Sequence, residues 1–160
     1  SDEADRNLMR NALVAGLQPD DPAFSSRGEY LIRNLVGVDY KRGILAVGAG
    51  LSNGQLIRFH VRDRDSSANV LDQTQARYGR QSADRAPSGA LFFSCVGRGR
   101  NLYGKANHES DIFARHFPAV PVGGFFCNGE IGPACGSAHI HTFSSVVAIF
   151  RPSARRDEIL

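Results

Sequence analysis

Two cysteines stand at the ends of apolar runs, and each is followed by a glycine-rich exit that also carries a charge. Cys95 closes residues 90–95 and leads into Val96, Gly97, Arg98 and Gly99, whereas Cys127 closes residues 120–127 and leads into Asn128, Gly129, Glu130, Ile131 and Gly132. Neighbouring strand ends with such exits build a concave rim on which backbone amides approach a ligand closely. Arg98 and Glu130 would set opposite charges at fixed points on that rim, to grip a zwitterion or an anion, or would pair with each other as a purely structural couple. His141 faces the same mouth if its strand runs antiparallel to residues 120–127. The expected ligand-binding residues are therefore Cys95, Arg98, Gly99, Cys127, Glu130, Gly132 and His141.

The same side chains allow sharper chemistry. Cys95 as nucleophile, His141 as base, Glu130 as orienter and the amides around Gly97 and Gly99 as oxyanion donors would make a cysteine-dependent hydrolase or transferase. No nucleophile elbow of known form surrounds Cys95, and a thiol buried in a strand is inert unless a neighbour lowers its pKa, so a non-enzymatic reading is preferred. Cys127, Cys135, His139 and His141 could be drawn around zinc, although their spacing is that of no known finger or ribbon. Haem ligation by His60, His108, His116, His139 or His141 is open in the same way. No cofactor is assigned with certainty; haem and zinc stay as alternatives, as does a protein-interaction module that presents the Arg-rich, polar stretches as its surface.

The elements that must position these residues follow from pattern and punctuation. Residues 2–17 read as a short helix with an apolar stripe at Leu8, Met9, Ala12, Leu13 and Ala15 that packs on a neighbour. Strands are expected over 30–36, 44–47 and 56–61, with Ile57, Phe59 and Val61 alternating as a buried face and a hairpin through Ser52, Asn53 and Gly54. Asp65 or Ser66 can cap a helix that keeps Ala68, Leu71, Gln75 and Tyr78 on one side. A buried strand over 90–95, a helix from Asn107 to before Pro118, a strand over 120–127, a loop over 128–136 and a last long strand over 139–150 complete the order. This predicts an α+β fold, a mixed, largely antiparallel sheet with helices packed against it.

Composition narrows the function classes. An apolar fraction of 42% and a charged fraction of 22% are those of an ordinary globular chain, so neither disorder nor a fibrous repeat is indicated. The net charge of +3 is small and the arginines are scattered, which argues against nucleic acid as a partner. The longest apolar run, 146–150, is strand-sized, so no membrane span is expected. Three cysteines and no signal peptide favour a reducing, cytoplasmic setting, and an opening Ser1 fits a domain cut from a longer polypeptide.

Five blocks in order carry a resemblance. They are Tyr30 to Asn34; Gly54 and Gln55 with Phe59 to Asp63; Gly89 to Cys95 with Gly97, Arg98 and Gly99; Val120 and Pro121 with Gly124 to Cys127 and Gly129 to Pro133; and His141 with Phe143. Together they resemble the C-terminal domain of the FIST module, with Thr142 and His139 standing where that family favours a glycine and an apolar residue. The resemblance implies a sensory domain of prokaryotic signal transduction proteins and eukaryotic F-box proteins. It also implies an N-terminal FIST partner domain ahead of it and a small-molecule ligand such as an amino acid or related metabolite; some members bind haem and sense nitric oxide. Arg62, inside the second block, joins the ligand-binding set. The expected organisation is a helix and linker over 1–27, the sensory domain over 28–151 and a tail over 152–160.

Overall fold

Residues 13–17, expected to continue a helix, form a strand. The structure, a computed structural model, describes residues 3–19, 30–82, 85–134 and 136–152. In it α1 (Glu3–Ala12) gives way directly to β1 (Leu13–Leu17). The run Leu-Val-Ala-Gly-Leu is apolar on both faces and includes a β-branched residue and a glycine, so pairing on two sides outweighs the helical stripe that precedes it. β1 pairs antiparallel with both β2 (Leu31–Asp39) and β4 (Ile57–Val61), and Val14, Ala15 and Leu17 are buried. Gly16 is required there, because a Cβ would meet the imidazole of His60 at 2.6 Å. Leu8 and Met9 of α1 pack on no neighbour fully and stay 37% and 49% exposed.

The turn at Ser52–Gly54 exists, with Gly54 at φ 82° and Gln55 donating to the Ser52 carbonyl, but it closes no hairpin. β3 (Ile44–Val47) pairs with β2 instead, giving a four-stranded antiparallel sheet in the order β3-β2-β1-β4. Turn chemistry fixes a local reversal, whereas the partner of each strand is decided by β1 inserting between β2 and β4. The alternation in β4 is real, yet Phe59 (56%) and Val61 (38%) lie on an open side, while His60 turns toward the interior.

Asp63, rather than Asp65 or Ser66, caps α2 (Arg64–Gln81), accepting from the Ser66 amide at 2.7 Å. After it come β5 (Gly89–Cys95), the short α3 (Arg100–Tyr103), α4 (His108–His116), β6 (Val122–Cys127), β7 (Glu130–Ala134), β8 (Ser137–His141) and β9 (Ser145–Phe150). The expected loop over 128–136 contains β7. The expected long strand over 139–150 is broken at Phe143, which takes a left-handed φ of 59°. β5 lies between β6, to which it is parallel, and β9, to which it is antiparallel, and β7 and β8 form a separate hairpin. The class is thus α+β with mostly antiparallel pairing, divided among three sheets. No helix among the described residues is long and apolar enough to cross a membrane. The expected boundary at Gly28 and the tail beyond residue 152 fall outside the described residues.

The main core is a stack of aromatic rings under the three-stranded sheet. Phe113 on α4 and Phe117, four residues on at its C-terminal cap, meet Phe92 and Ala90 of β5, with Phe92 and Phe113 edge-to-face at 5.3 Å. Gly124 lets β6 come close to β5; its φ is 147° and a Cβ would lie 2.1 Å from the Phe92 carbonyl oxygen. Phe113 is fully buried. Phe113→Ala is expected to lose about 3–5 kcal/mol of stability in denaturant titration; a loss under about 1 kcal/mol would contradict this assignment of the core.

Candidate functional site

Arg98 is not paired with Glu130. It turns back from the end of β5, its amide donating to the Cys95 carbonyl, and each of its three side-chain nitrogens finds an acceptor. Nε donates to Glu109 Oε1 at 2.5 Å, Nη1 to the Phe143 carbonyl at 3.0 Å and Nη2 to the Tyr103 hydroxyl at 2.5 Å. The far oxygen of Glu109 accepts from Ser94 at 2.5 Å and from Ser145 at 3.3 Å. The side chains of the pair are 9% and 8% exposed, and burial pushes the Tyr103 phenol up to about 12. This network ties β5, α3, α4 and β9 to the turn at Phe143. Glu109 escaped the sequence reading, although a carboxylate on the helical face that carries Ile112 and Phe113 was the available signal.

Glu130, 1% exposed, is satisfied without a cation among the described residues. It accepts from the Ser144 hydroxyl (2.8 Å) and amide (3.2 Å), from the Gly129 amide (3.3 Å) and from the Cys127 thiol (3.6 Å). Burial, reinforced by that carboxylate, raises the Cys127 thiol above its ordinary pKa. Cys95 is buried and stands beside Cys127 in the β5–β6 register. His141 lies opposite Glu130 in the β7–β8 hairpin, and its Nε2 is 3.1 Å from the Gly132 carbonyl rather than on either thiol. Gly99 and Gly132 serve close packing: a Cβ would strike Phe126 at 2.6 Å in the first case and Val146 at 2.9 Å in the second. Cys135 lies outside the described residues, among which no cluster of three metal-ligating side chains occurs.

One recess lies a step away from these side chains. It encloses about 540 Å³ between the four-stranded sheet (Val14, Ile32, His60), the first turns of α2 (Ser66, Leu71) and the segment from His141 to Ser145. Of the expected residues, Arg62, Arg98 and His141 line it; Cys95, Gly99, Cys127, Glu130 and Gly132 do not. Arg62 follows the last residue of β4, where its amide donates to the Ala12 carbonyl at 2.9 Å. Its Nη1 donates to the Gly97 carbonyl at 2.8 Å, and its guanidinium lies 4.3 Å over the Phe143 ring. Gly97 makes room for this, since a Cβ would come 3.0 Å from that nitrogen. Among the described residues Arg62 forms no ion pair. Desolvation lowers its pKa, and Arg98 nearby acts in the same direction, against the opposing influence of the Cys95 thiol. Asp63, the nearby carboxylate, is held below its usual pKa by the Ser66 amide it caps.

Removing one charge from the Arg98–Glu109 pair would leave the other buried and uncompensated. Glu109→Gln, similar in volume, is expected to cost roughly 3–5 kcal/mol in equilibrium unfolding; unchanged stability would show that the pair braces nothing.

Comparison with known proteins gives the geometry a family. An uncharacterized protein of Mycobacterium bovis is 33% identical over 147 residues, covering 91% of this chain and 38% of its own length. An F-box/LRR-repeat protein of Arabidopsis thaliana is 29% identical over 128 residues, or 78% of this chain and 23% of its own. F-box only protein 22 of Homo sapiens is 58% identical over a shorter stretch of 43 residues, 26% of this chain and 11% of its own. The chain thus spans well under half the length of the relatives it matches. The family profile described as FIST C domain matches residues 2–133, taking in α1, β1 and every element through β6, and the chain belongs to the FIST C domain family.

Proposed function

We propose that this domain is the small-ligand-binding sensory part of a signal transduction protein, and that its ligand presents a carboxylate, as an amino acid or related metabolite does, to Arg62. The supporting observation is the state of that side chain: a half-buried guanidinium in a recess of about 540 Å³, with no carboxylate partner among the described residues. Arg98 and Glu130, the grip expected from sequence, are spent on internal partners. The Ser66 hydroxyl borders the recess as a further donor, while those of Ser67, Thr142 and Ser144, whose hydrogens go to the Asp63 carbonyl, the Ile32 carbonyl and Glu130, offer acceptor lone pairs. His60 adds an Nε2 that is buried and unpartnered among the described residues.

The non-enzymatic reading is kept because neither Cys95 nor Cys127 is hydrogen-bonded to an imidazole among the described residues. His141 engages a carbonyl, and Cys127 has a neighbouring carboxylate that disfavours its thiolate. The cytoplasmic setting and the FIST partner domain ahead of this one belong to the same proposal, with exposed Phe59 and Val61 beside Arg62 as apolar surface for that partner to cover.

A thermal-shift panel of free amino acids and short carboxylic acids tests the proposal. A ligand at 100 times its Kd should add about 2.7 kcal/mol of apparent stability. Arg62→Gln should weaken binding on the order of tenfold to a hundredfold, the worth of a charge-assisted bond of roughly 1.5–3 kcal/mol. A flat response across the panel, or a shift that survives Arg62→Gln, contradicts it.

A further inference from the structure

The face of α2 that packs toward α4 and the three-stranded sheet contains a side chain the fold does not use. Gln75 follows Leu71 by one turn on that face and is 6% exposed, and neither Nε2 nor Oε1 has a hydrogen-bond partner among the described residues. With Leu71, Phe113, Phe117, Val147 and Ile149 it lines a recess of about 310 Å³. Of the three hydroxyls at its border, Tyr78 accepts from Arg151 at 2.7 Å and Ser145 bonds Ser94 and Glu109, while that of Thr74 makes no hydrogen bond to Gln75 among the described residues.

A leucine at this position would fill the helix face without burying a polar group. A carboxamide there is desolvated with its donor and its acceptor both unmet, an arrangement that folded proteins avoid unless something else meets them. The amide presents that donor and acceptor side by side, so the complementary partner is a group with an acceptor and a donor side by side on one edge. The rest of the wall asks for an apolar body. We propose that this recess is a second small-molecule site, which takes a compact apolar compound through a lactam-type edge, its carbonyl accepting from Gln75 Nε2 and its N–H donating to Gln75 Oε1. The site shares Leu71, Thr74 and Ser145 with the recess at Arg62 but needs neither that arginine nor its ligand.

The test uses 2-pyridone, which has that edge, and N-methyl-2-pyridone, which has lost the donor. In ¹⁵N–¹H spectra of the 160-residue chain, the side-chain NH₂ pair of Gln75 should shift saturably with 2-pyridone, and the N-methyl compound should bind at least tenfold more weakly. Gln75→Leu should abolish 2-pyridone binding, and the wild-type comparison stands even where that variant folds poorly. Equal affinity for the two compounds, or a Gln75 amide unmoved by both, would overturn the proposal.

Discussion

A guanidinium and a carboxylate, each about nine-tenths withdrawn from water, organise this domain. Burying either alone is costly, and together they are tolerable only when the geometry is good and the remaining donors and lone pairs are met. The Arg98–Glu109 couple meets that condition by recruiting Tyr103, Ser94, Ser145 and the Phe143 carbonyl. Elements distant in sequence are thereby held at one point: the end of β5, the first turn of α4, the start of β9 and the turn before it. Phe143 sits in a left-handed conformation that a bulky residue adopts only when its surroundings over-determine it; here its carbonyl is held by Arg98 and its ring lies under Arg62.

That brace decides which cation is free. Arg98 has no capacity to greet a ligand without giving up Glu109, whereas Arg62 lies nearby with one nitrogen on a backbone carbonyl and no counter-charge among the described residues. Two side-chain hydrogen bonds that join the four-stranded sheet region to later parts of the chain among the described residues, Arg62 to the Gly97 carbonyl and Thr142 to the Ile32 carbonyl, both involve residues that line this recess. The recess is therefore a seam between sheets, with walls contributed by residues far apart in the chain.

Local pattern made much of the fold legible and little of its pairing. The buried run ending at Cys95, the helix beginning at Asn107 and the Leu71–Gln75–Tyr78 face of α2 were all readable, because periodicity and punctuation are properties of neighbouring residues. β1 was not: its five residues extend a helical stripe without a break, and only insertion between β2 and β4 makes them a strand. The site divided in the same way. Strand ends with glycine exits located Cys95, Arg98, Cys127 and Glu130 as a neighbourhood, but which charge neutralises which depends on α4 delivering Glu109, a long-range fact. Arg62 entered the set through the family blocks alone, since nothing in its local spacing marks it as facing a cavity.

The division of labour between the two arginines can be measured directly by following their side-chain Nε–H signals in the 160-residue chain, free and then saturated with a carboxylate that stabilises it. The Arg98 Nε–H should exchange slowly with solvent and stay put throughout, while the Arg62 signal moves with ligand. An Arg98 signal that exchanges freely or follows the ligand while Arg62 remains still would contradict it.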